Sequence, residues 1–196
     1  TPLEETLGAL DQIVRSGKAL YAGVSNYSGK MFNDSIDLTE RERWAPIIIH
    51  QPRYNLLERT IETDLLEHTH RHGVGVIAFS PLAQGMLTDK YLNGIPPDSR
   101  AALWWNESTK YKQLLPKAAE IMRGLNDVAK ARGQSLAQMS LAWILRDPRI
   151  TSALIGASRV EQIEENVKAL KNTTFSADEL KKIDAGVREI VNTAAD

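Results

Sequence analysis

Four short apolar segments set the strongest limit on how this chain can fold. They are nearly uninterrupted by polar residues and comprise Ala19–Val24, Pro46–His50, Val74–Phe79 and Ile150–Ile155. Apolar runs of this length are typical of parallel strands that are covered on both faces. We therefore expect these segments to be the core strands of a parallel sheet.

The sequence between and after these segments has the periodicity of amphipathic helices. Mainly apolar side chains recur there at a spacing of three or four residues: Ile61, Leu65, Leu66 and Thr69; Ile121, Leu125 and Val128; Leu136, Met139 and Trp143; Val160, Ile163, Val167 and Leu170. Such spacing places them on one helix face. Ser135 with Gln138, and Ser176 with Glu179, have the spacing of a capping box, which marks a helix start. The chain is therefore predicted to repeat strand and helix, and to end in an extra helix over about residues 176–192.

Two architectures fit this alternation when only the residues are considered. Four strand–helix units are half of what a closed parallel barrel needs, which is eight strands in about 250 residues. A doubly wound sheet fits as well, but it normally has a glycine-rich turn after its first strand. Here that turn reads Ser25-Asn26-Tyr27-Ser28, and the chain contains neither a G-x-G-x-x-G motif nor a Walker loop.

Composition favours an intracellular protein and argues against several partners. The 196 residues include no cysteine, and no apolar run approaches the roughly 18–20 residues that a membrane span needs. The net charge of −1 does not favour nucleic-acid binding. We therefore expect a cytoplasmic chain without membrane or nucleic-acid partners. Because it begins at Thr1 with neither an initiator methionine nor a signal peptide, we also expect it to be part of a longer protein.

Histidines offer the only pattern suited to a metal ion. His68 and His72 are four residues apart on a predicted helix, but no third ligand is indicated nearby. We interpret them as residues of a solvated helix end and predict no metal site.

Polar residues follow each predicted strand and form four motifs. These are GVSN at 23–26, HQPRYN at 50–55, FSPLAQG at 79–85, and GASR at 156–159 with Gln162, Glu165 and Asn166 beyond it. In these motifs, and in their order and spacing, the chain resembles the aldo-keto reductase superfamily from Thr1 to about Ile190. It is similar there to the bacterial L-glyceraldehyde 3-phosphate reductase type and to the voltage-gated potassium channel β subunits.

The resemblance implies a (β/α)8 TIM barrel. This chain would supply its second half, strands 5 to 8 with an additional C-terminal helix, as a single partial domain over residues 1–196. A long cofactor and substrate loop is expected over about residues 81–113. Trp104 and Trp105 within it either pack on the barrel rim or line a substrate pocket or partner surface.

The resemblance also implies a site for NADP(H) at the strand ends. A nicotinamide carboxamide has one acceptor and one donor group, so Ser25, Asn26 and Gln51 can fix its orientation by complementary hydrogen bonds. Phe79 matches the aromatic residue that stacks on the nicotinamide ring. The backbone of the loop matching the pyrophosphate site comprises Ser80, Pro81, Leu82, Ala83 and Gln84, with Lys90 and Arg100 as cations folded over it.

The last motif matches the part of that site which binds the adenosine. Ser158, Arg159 and Gln162 stand after Gly156 at a predicted helix start, where amide groups and the helix dipole favour an anion. That placement resembles the 2′-phosphate site of the superfamily and favours NADP over NAD. Glu165 and Asn166, one turn later, match adenine contacts.

The catalytic residues of the superfamily have no counterpart in this chain. They are an aspartate, a tyrosine acid, a lysine and a histidine, and the resemblance places all four upstream of Thr1. His50 and Tyr54 are interpreted as structural, because no lysine or histidine is spaced to activate Tyr54. We therefore expect no catalytic residue here and no activity from this portion alone.

Three functions remain open at this point. The first is an NADP-dependent reductase of small aldehydes or ketones, such as glyceraldehyde 3-phosphate or methylglyoxal. The second is a noncatalytic NADPH-binding regulatory subunit similar to the channel β subunits, and the third is an inert fragment. A homo-oligomer is left open.

Overall fold

The structure is a computed structural model that describes residues 1–97, 99–103 and 110–193, without the side chains of residues 100, 110–118 and 189–193. The four described strands are β1 (Ala22–Ser25), β2 (Ile47–Gln51), β3 (Gly75–Phe79) and β4 (Ser152–Leu154). The α-helices are α1 (Leu3–Arg15), α2 (Gly29–Glu42), α3 (Leu65–Arg71), α4 (Arg100–Leu103), α5 (Lys110–Ala131), α6 (Leu136–Leu145), α7 (Val160–Val167) and α8 (Ala177–Thr193). Short 3-10 helices are Thr60–Glu62, Ala83–Gly85, Asp89–Tyr91 and Lys168–Lys171.

The strands form one parallel sheet in the order β1-β2-β3-β4. This confirms the predicted α/β fold with a parallel sheet. Because spatial order follows chain order, the described part of the sheet has no reversal of direction of the kind that defines a doubly wound fold. The polar ends of β1, β2 and β3 are therefore consecutive neighbours along one edge.

The helices that the structure describes pack on one face of the sheet. Val24, His50 and Val76 are buried on the helix side, whereas Gly23 and Ser25 on the opposite side are exposed. Leu154, also exposed, shows half of its surface to solvent (50%). Among the described residues, the expectation that the strands are covered on both faces therefore does not hold for the edge strands β1 and β4, whereas Gln51 and Phe79 on the second face of β2 and β3 are half-buried.

The two edge strands are shorter than predicted. β1 begins at Ala22, and the preceding Leu20 and Tyr21 are 83% and 69% exposed. β4 has only three residues. Each edge strand has one neighbour within the described sheet, so fewer backbone bonds define its length.

Two helix starts follow the predicted capping residues. Ser135 and Gln138 form the reciprocal capping box predicted for α6, and Ser176 and Glu179 bond reciprocally before α8. The predicted terminal helix over residues 176–192 is thus observed as Ala177–Thr193. The predicted loop over residues 81–113 instead contains two 3-10 turns and α4, and ends at α5, which begins at Lys110. Trp104 and Trp105 lie outside the described residues.

The core lies between the sheet and its helices, with Trp143 of α6 fully buried. The guanidinium groups of Arg59 and Arg146 lie 4.9 and 3.9 Å from its ring centre. Arg59 also pairs with Glu62 of the loop after β2 at 2.9 Å and with Asp184 of α8 at 2.6 Å. The terminal helix is thereby joined to the loop that leaves β2 at the polar edge.

Candidate functional site

The ends of β1 and β2 are held together by one backbone carbonyl. The Ser25 hydroxyl donates to the carbonyl oxygen of Gln51 at 2.7 Å, and the amide of Asn26 donates to the same oxygen at 3.2 Å. Asn26 adopts a left-handed backbone (φ 56°), and its side-chain oxygen accepts from the Arg53 amide at 3.1 Å. The structure thus brings the three residues predicted for the nicotinamide together at one edge.

Phe79 lies on the same side of the sheet as Gln51. His50 pairs with Val76, so Gln51 is opposite Ile77, and Phe79 follows two residues later. The Arg53 guanidinium lies over the Phe79 ring, 5.4 Å from its centre, and 3.7 Å from the Glu58 carboxylate. A ring that stacks on Phe79 must use its other face or displace Arg53.

Sequence reasoning missed Arg53, although a signal was present. Arg53 follows Gln51 by two residues, which is the spacing that returns a side chain to the same face of an extended segment. It pairs with Phe79 in an isolated parallel bridge just beyond the strands. Its cation therefore belongs to the same site as Gln51 and Phe79.

The loop after β3 has an unusual backbone. Ser80, Ala83 and Gln84 have φ values of 52°, 46° and 57°, and Gly85 has 100°. For residues with a Cβ such angles cost about 1–3 kcal/mol each and persist only where neighbours hold them. The amides of Ala83 and Gly85 donate inside the loop, to the carbonyls of Ser80 (3.0 Å) and Leu82 (2.8 Å). The predicted pyrophosphate loop is thus a compact turn with internal partners.

The two predicted cations, Lys90 and Arg100, lie on short helices beyond this loop. Lys90 is exposed on the 3-10 helix Asp89–Tyr91. Arg100 is the first residue of α4, and its side chain lies outside the described part of the structure. Their predicted role over the pyrophosphate stays a prediction.

The β4–α7 segment carries the residues predicted for the 2′-phosphate. Gly156, Ser158 and Arg159 are all exposed, and Arg159 is the residue that precedes α7. The Ser158 amide donates to the Gln162 side-chain oxygen at 2.8 Å. A neutral acceptor of this chain therefore already bonds one amide at this helix start.

The residues predicted for adenine lie one turn further along α7. The Gln138 side chain donates to the backbone and carboxylate oxygens of Glu165 at 3.0 and 2.9 Å, and Lys168 pairs with the same carboxylate. Asn166 is half-buried. Glu165 thus also joins α7 to α6, a role that sequence reasoning did not anticipate.

His50 and Tyr54 are structural, as predicted. His50 is fully buried on the helix side, with the Phe32 and Tyr27 rings 5.6 and 6.4 Å away. Burial lowers its pKa to about 4, against a smaller opposing effect of the Tyr27 backbone. The Tyr54 hydroxyl donates to Glu62 at 2.7 Å, and burial followed by the Glu62 charge raises the pKa of Tyr54 above its ordinary value. Neither side chain is available at the polar edge.

Of the two histidines predicted at a solvated helix end, His68 on α3 is half-buried and His72, just after α3, is exposed. The ring nitrogen Nδ1 of His68 is 2.9 Å from the Asn33 side-chain nitrogen, and the His72 ring meets Phe32 edge-on at 6.2 Å. Among the described residues, no cluster of three or more metal-ligating side chains occurs. None of the described helices is long and apolar enough to cross a membrane.

A groove of about 390 Å³ adjoins this edge on the side of α2 and α3. Its lining includes Asn26 and Arg53 together with the carboxylates of Glu58 and Asp64. Gly29 closes one wall, since an added Cβ would lie 2.4 Å from an Asp64 oxygen. Two carboxylates against one cation do not favour a phosphate group in this groove.

Comparison with known proteins identifies the family. A model of the Aldo/keto reductase family matches residues 1–188. This chain belongs to the aldo/keto reductase family.

Named relatives of this aldo/keto reductase chain are considerably longer. L-glyceraldehyde 3-phosphate reductase of Escherichia coli (strain K12) is 52% identical over 195 residues, covering 96% of this chain and 55% of that protein. A probable voltage-gated potassium channel subunit beta of Arabidopsis thaliana is 37% identical over 172 residues, covering 87% of this chain and 52% of that protein. The chain thus spans about half the length of the curated relatives it matches.

A solved structure extends the likeness to three dimensions. The thermostable aldo-keto reductase Tm1743, crystallised with the inhibitor epalrestat, superposes with a TM-score of 0.68 at 30% identity. The match covers 95% of this chain and 55% of Tm1743. The described α/β fold of this family member therefore has a counterpart within a longer reductase.

Proposed function

We propose that this chain is the cofactor-binding portion of an NADP-dependent aldo-keto reductase, and that it supplies the second half of a (β/α)8 barrel. Four parallel strands in sequential order, with the described helices on one face, suit half of a closed barrel. Relatives of nearly twice the length support the same proposal. The aspartate, tyrosine, lysine and histidine of the reaction then belong to the other half, upstream of Thr1.

The convergence of Ser25, Asn26 and Gln51 beside Phe79 carries this proposal. Amide and hydroxyl groups fix a carboxamide, and an aromatic ring covers one face of the nicotinamide so that the other faces a carbonyl. When bound, the nicotinamide supplies the hydride. Polar groups at the carboxyl ends of parallel strands are where barrels of this class bind their ligands.

Neither Tyr54 nor His50 is placed to supply the proton that carbonyl reduction needs. Tyr54 is committed to Glu62, and His50 faces the helices in its neutral form. We assign the proton donor to the tyrosine of the other half for this reason. The substrate is proposed to be a small aldehyde or ketone, such as glyceraldehyde 3-phosphate or methylglyoxal, in line with the name of the 52% identical relative.

A second candidate is a regulatory subunit that binds NADPH without turning it over. The 37% identity to a probable channel subunit beta favours it. Both candidates use the same cofactor site, so catalytic turnover distinguishes them. Cytoplasmic location, and a homo-oligomer as a possible assembly, are part of the proposal in either case.

An activity measurement tests the proposal directly. Residues 1–196 alone are expected to oxidise no NADPH with glyceraldehyde 3-phosphate or methylglyoxal, because the tetrad is missing. A fusion to the amino-terminal portion of the E. coli relative is expected to restore turnover. Turnover by the chain alone would contradict the assignment of the tetrad, and NADPH binding by the fusion without turnover would favour the regulatory candidate.

A further inference from the structure

The side chain of Asn55, just after β2, is buried and makes two directed hydrogen bonds. It has no exposed surface. Its oxygen accepts from the Leu57 amide at 2.9 Å, and its nitrogen donates to the Ser80 carbonyl at 3.0 Å. The backbone of Asn55 exchanges two hydrogen bonds of 3.1 Å with Glu58, which fixes the side chain in place.

The bond to Ser80 continues the pairing of two segments beyond the end of the sheet. The Tyr54 amide donates to the Phe79 carbonyl at 3.3 Å, as in a parallel ladder. One residue later the Asn55 side chain, not a backbone amide, donates to the Ser80 carbonyl. The contact thus holds the chain at the point where it leaves β3.

Ser80 is a residue that needs such support. Its backbone is left-handed (φ 52°) although it has a Cβ, and it directly precedes Pro81, which further restricts its conformation. Its carbonyl accepts two hydrogen bonds, from the Asn55 side chain and from the Ala83 amide. The direction of the next residues, with Ala83 and Gln84 also left-handed, follows from this first turn.

We infer that Asn55 is a positioning residue, which holds the loop from Ser80 to Gly85 in the shape that binds the phosphates of the cofactor. The statement that this loop binds the phosphates of the cofactor rests on the proposed function. Asn55 itself is buried and does not reach the ligand, so it acts through the Ser80 carbonyl.

The substitution Asn55→Asp removes the hydrogen-bond donor of the side chain and leaves the rest of it nearly unchanged. It keeps the size and the acceptor for the Leu57 amide, but an ionised carboxylate cannot donate to the Ser80 carbonyl. Hydrogen exchange of the Ala83 and Gly85 amides should become at least about tenfold faster, while that of Val24 in β1 stays unchanged. NADP⁺ binding, measured by calorimetry, should weaken about tenfold.

The loss of NADP⁺ affinity in Asn55→Asp should depend on pH, because protonation of the new carboxyl group restores a hydrogen-bond donor. A protonated carboxyl can again donate to the Ser80 carbonyl, so the difference in NADP⁺ affinity from wild type should shrink between about pH 8 and about pH 5. The control is Asn33→Asp, which alters a partly buried asparagine that is bonded to His68 and not to the loop. It should change NADP⁺ affinity less than about twofold. Asn55→Ser, which buries no charge and is too short to reach Ser80, replaces Asn55→Asp if that variant does not fold.

The outcomes separate this inference from the proposed function. Unchanged exchange of the loop amides in a folded Asn55 variant overturns the positioning role, whatever NADP⁺ does. Faster exchange with unchanged NADP⁺ affinity overturns the link to the phosphates. If the fusion of the wild-type chain to the amino-terminal portion of the E. coli relative binds no NADP⁺, the proposed function fails, and the exchange measurement still decides whether Asn55 positions the loop.

Discussion

The two ends of the proposed cofactor site are built differently. At the ends of β1 to β3, Ser25 and Asn26 bond to a neighbouring strand's carbonyl, and buried Asn55 holds the following loop. In the β4–α7 segment, Ser158 and Arg159 are exposed and α7 has no buried residue. The side chain of Gln138 joins α7 to α6 through Glu165.

How firmly the backbone of each region is held depends on where its strands lie in the sheet. β2 and β3 each have neighbours on both sides, and the edge strand β1 is tied to β2 at its end by the hydrogen bonds of Ser25 and Asn26 to the Gln51 carbonyl. β4 has one neighbour and three residues, so the segment beyond it depends on side chains. The nicotinamide end should therefore respond to changes in the core, and the adenosine end to changes in single surface charges.

The largest effect is expected on the free energy of unfolding, from truncation of a core side chain that packs near the ends of β2 and β3. Trp143→Ala should lower the free energy of unfolding by about 3–5 kcal/mol, because it removes a fully buried ring packed on Tyr54 and between two arginines. Urea unfolding followed by circular dichroism measures it. The matched truncation in the second region is Val167→Ala, at a position that is 55% exposed, and it should cost less than about 0.5 kcal/mol. Equal losses at both positions would remove the contrast between the regions.

A smaller effect is expected on cofactor affinity, where a change at one end of the site should affect only NADPH and a change at the other end should affect both NADPH and NADH. Arg159→Ala should weaken NADPH binding by about 1.5–3 kcal/mol, the size of a charge-assisted hydrogen bond, and leave NADH nearly unchanged. Gln51→Ala should weaken both cofactors alike, since it touches the nicotinamide that they share. Fluorescence titration measures all four affinities, with Arg71→Ala at the exposed end of α3 as a control. If Arg159→Ala weakens NADH as much as NADPH, the helix start of α7 does not bind the 2′-phosphate.

The smallest of the three effects is a pH dependence confined to the first region. Burial lowers the pKa of His50 from 6.5 to about 4, so the unfolded chain binds this proton more readily than the folded one. The contribution of neutral His50 to the stability of the folded chain is complete above pH 6.5 and is lost progressively as the pH falls towards 4. Between about pH 7 and about pH 5 the wild type should lose about 2 kcal/mol more than His50→Phe. Identical losses in both proteins would show that His50 is not held neutral.

Particular residues show how far sequence reasoning reached. Each of the four apolar segments overlaps one described strand, and the capping boxes mark the starts of α6 and α8, because period and capping are local properties. Ser25, Asn26, Gln51 and Phe79 were predicted from the resemblance to the aldo-keto reductases, and the structure brings them together at one edge of the sheet, while their role in cofactor binding stays a prediction. Arg53 and Asn55 were missed as site residues, since their partners Phe79 and Ser80 are distant in sequence and meet them only through the pairing of β2 with β3.

The sequence by itself determined the strand–helix alternation and the capped starts of α6 and α8, since each depends on the order of neighbouring side chains, and its motifs supplied the candidate residues through their resemblance to a family. The tertiary structure alone decided which face of the sheet stays exposed and how Ser80 is held in a left-handed turn. It also buried His50 among aromatic rings on the helix side. These features depend on sheet order and on contacts between distant segments, which no local pattern encodes.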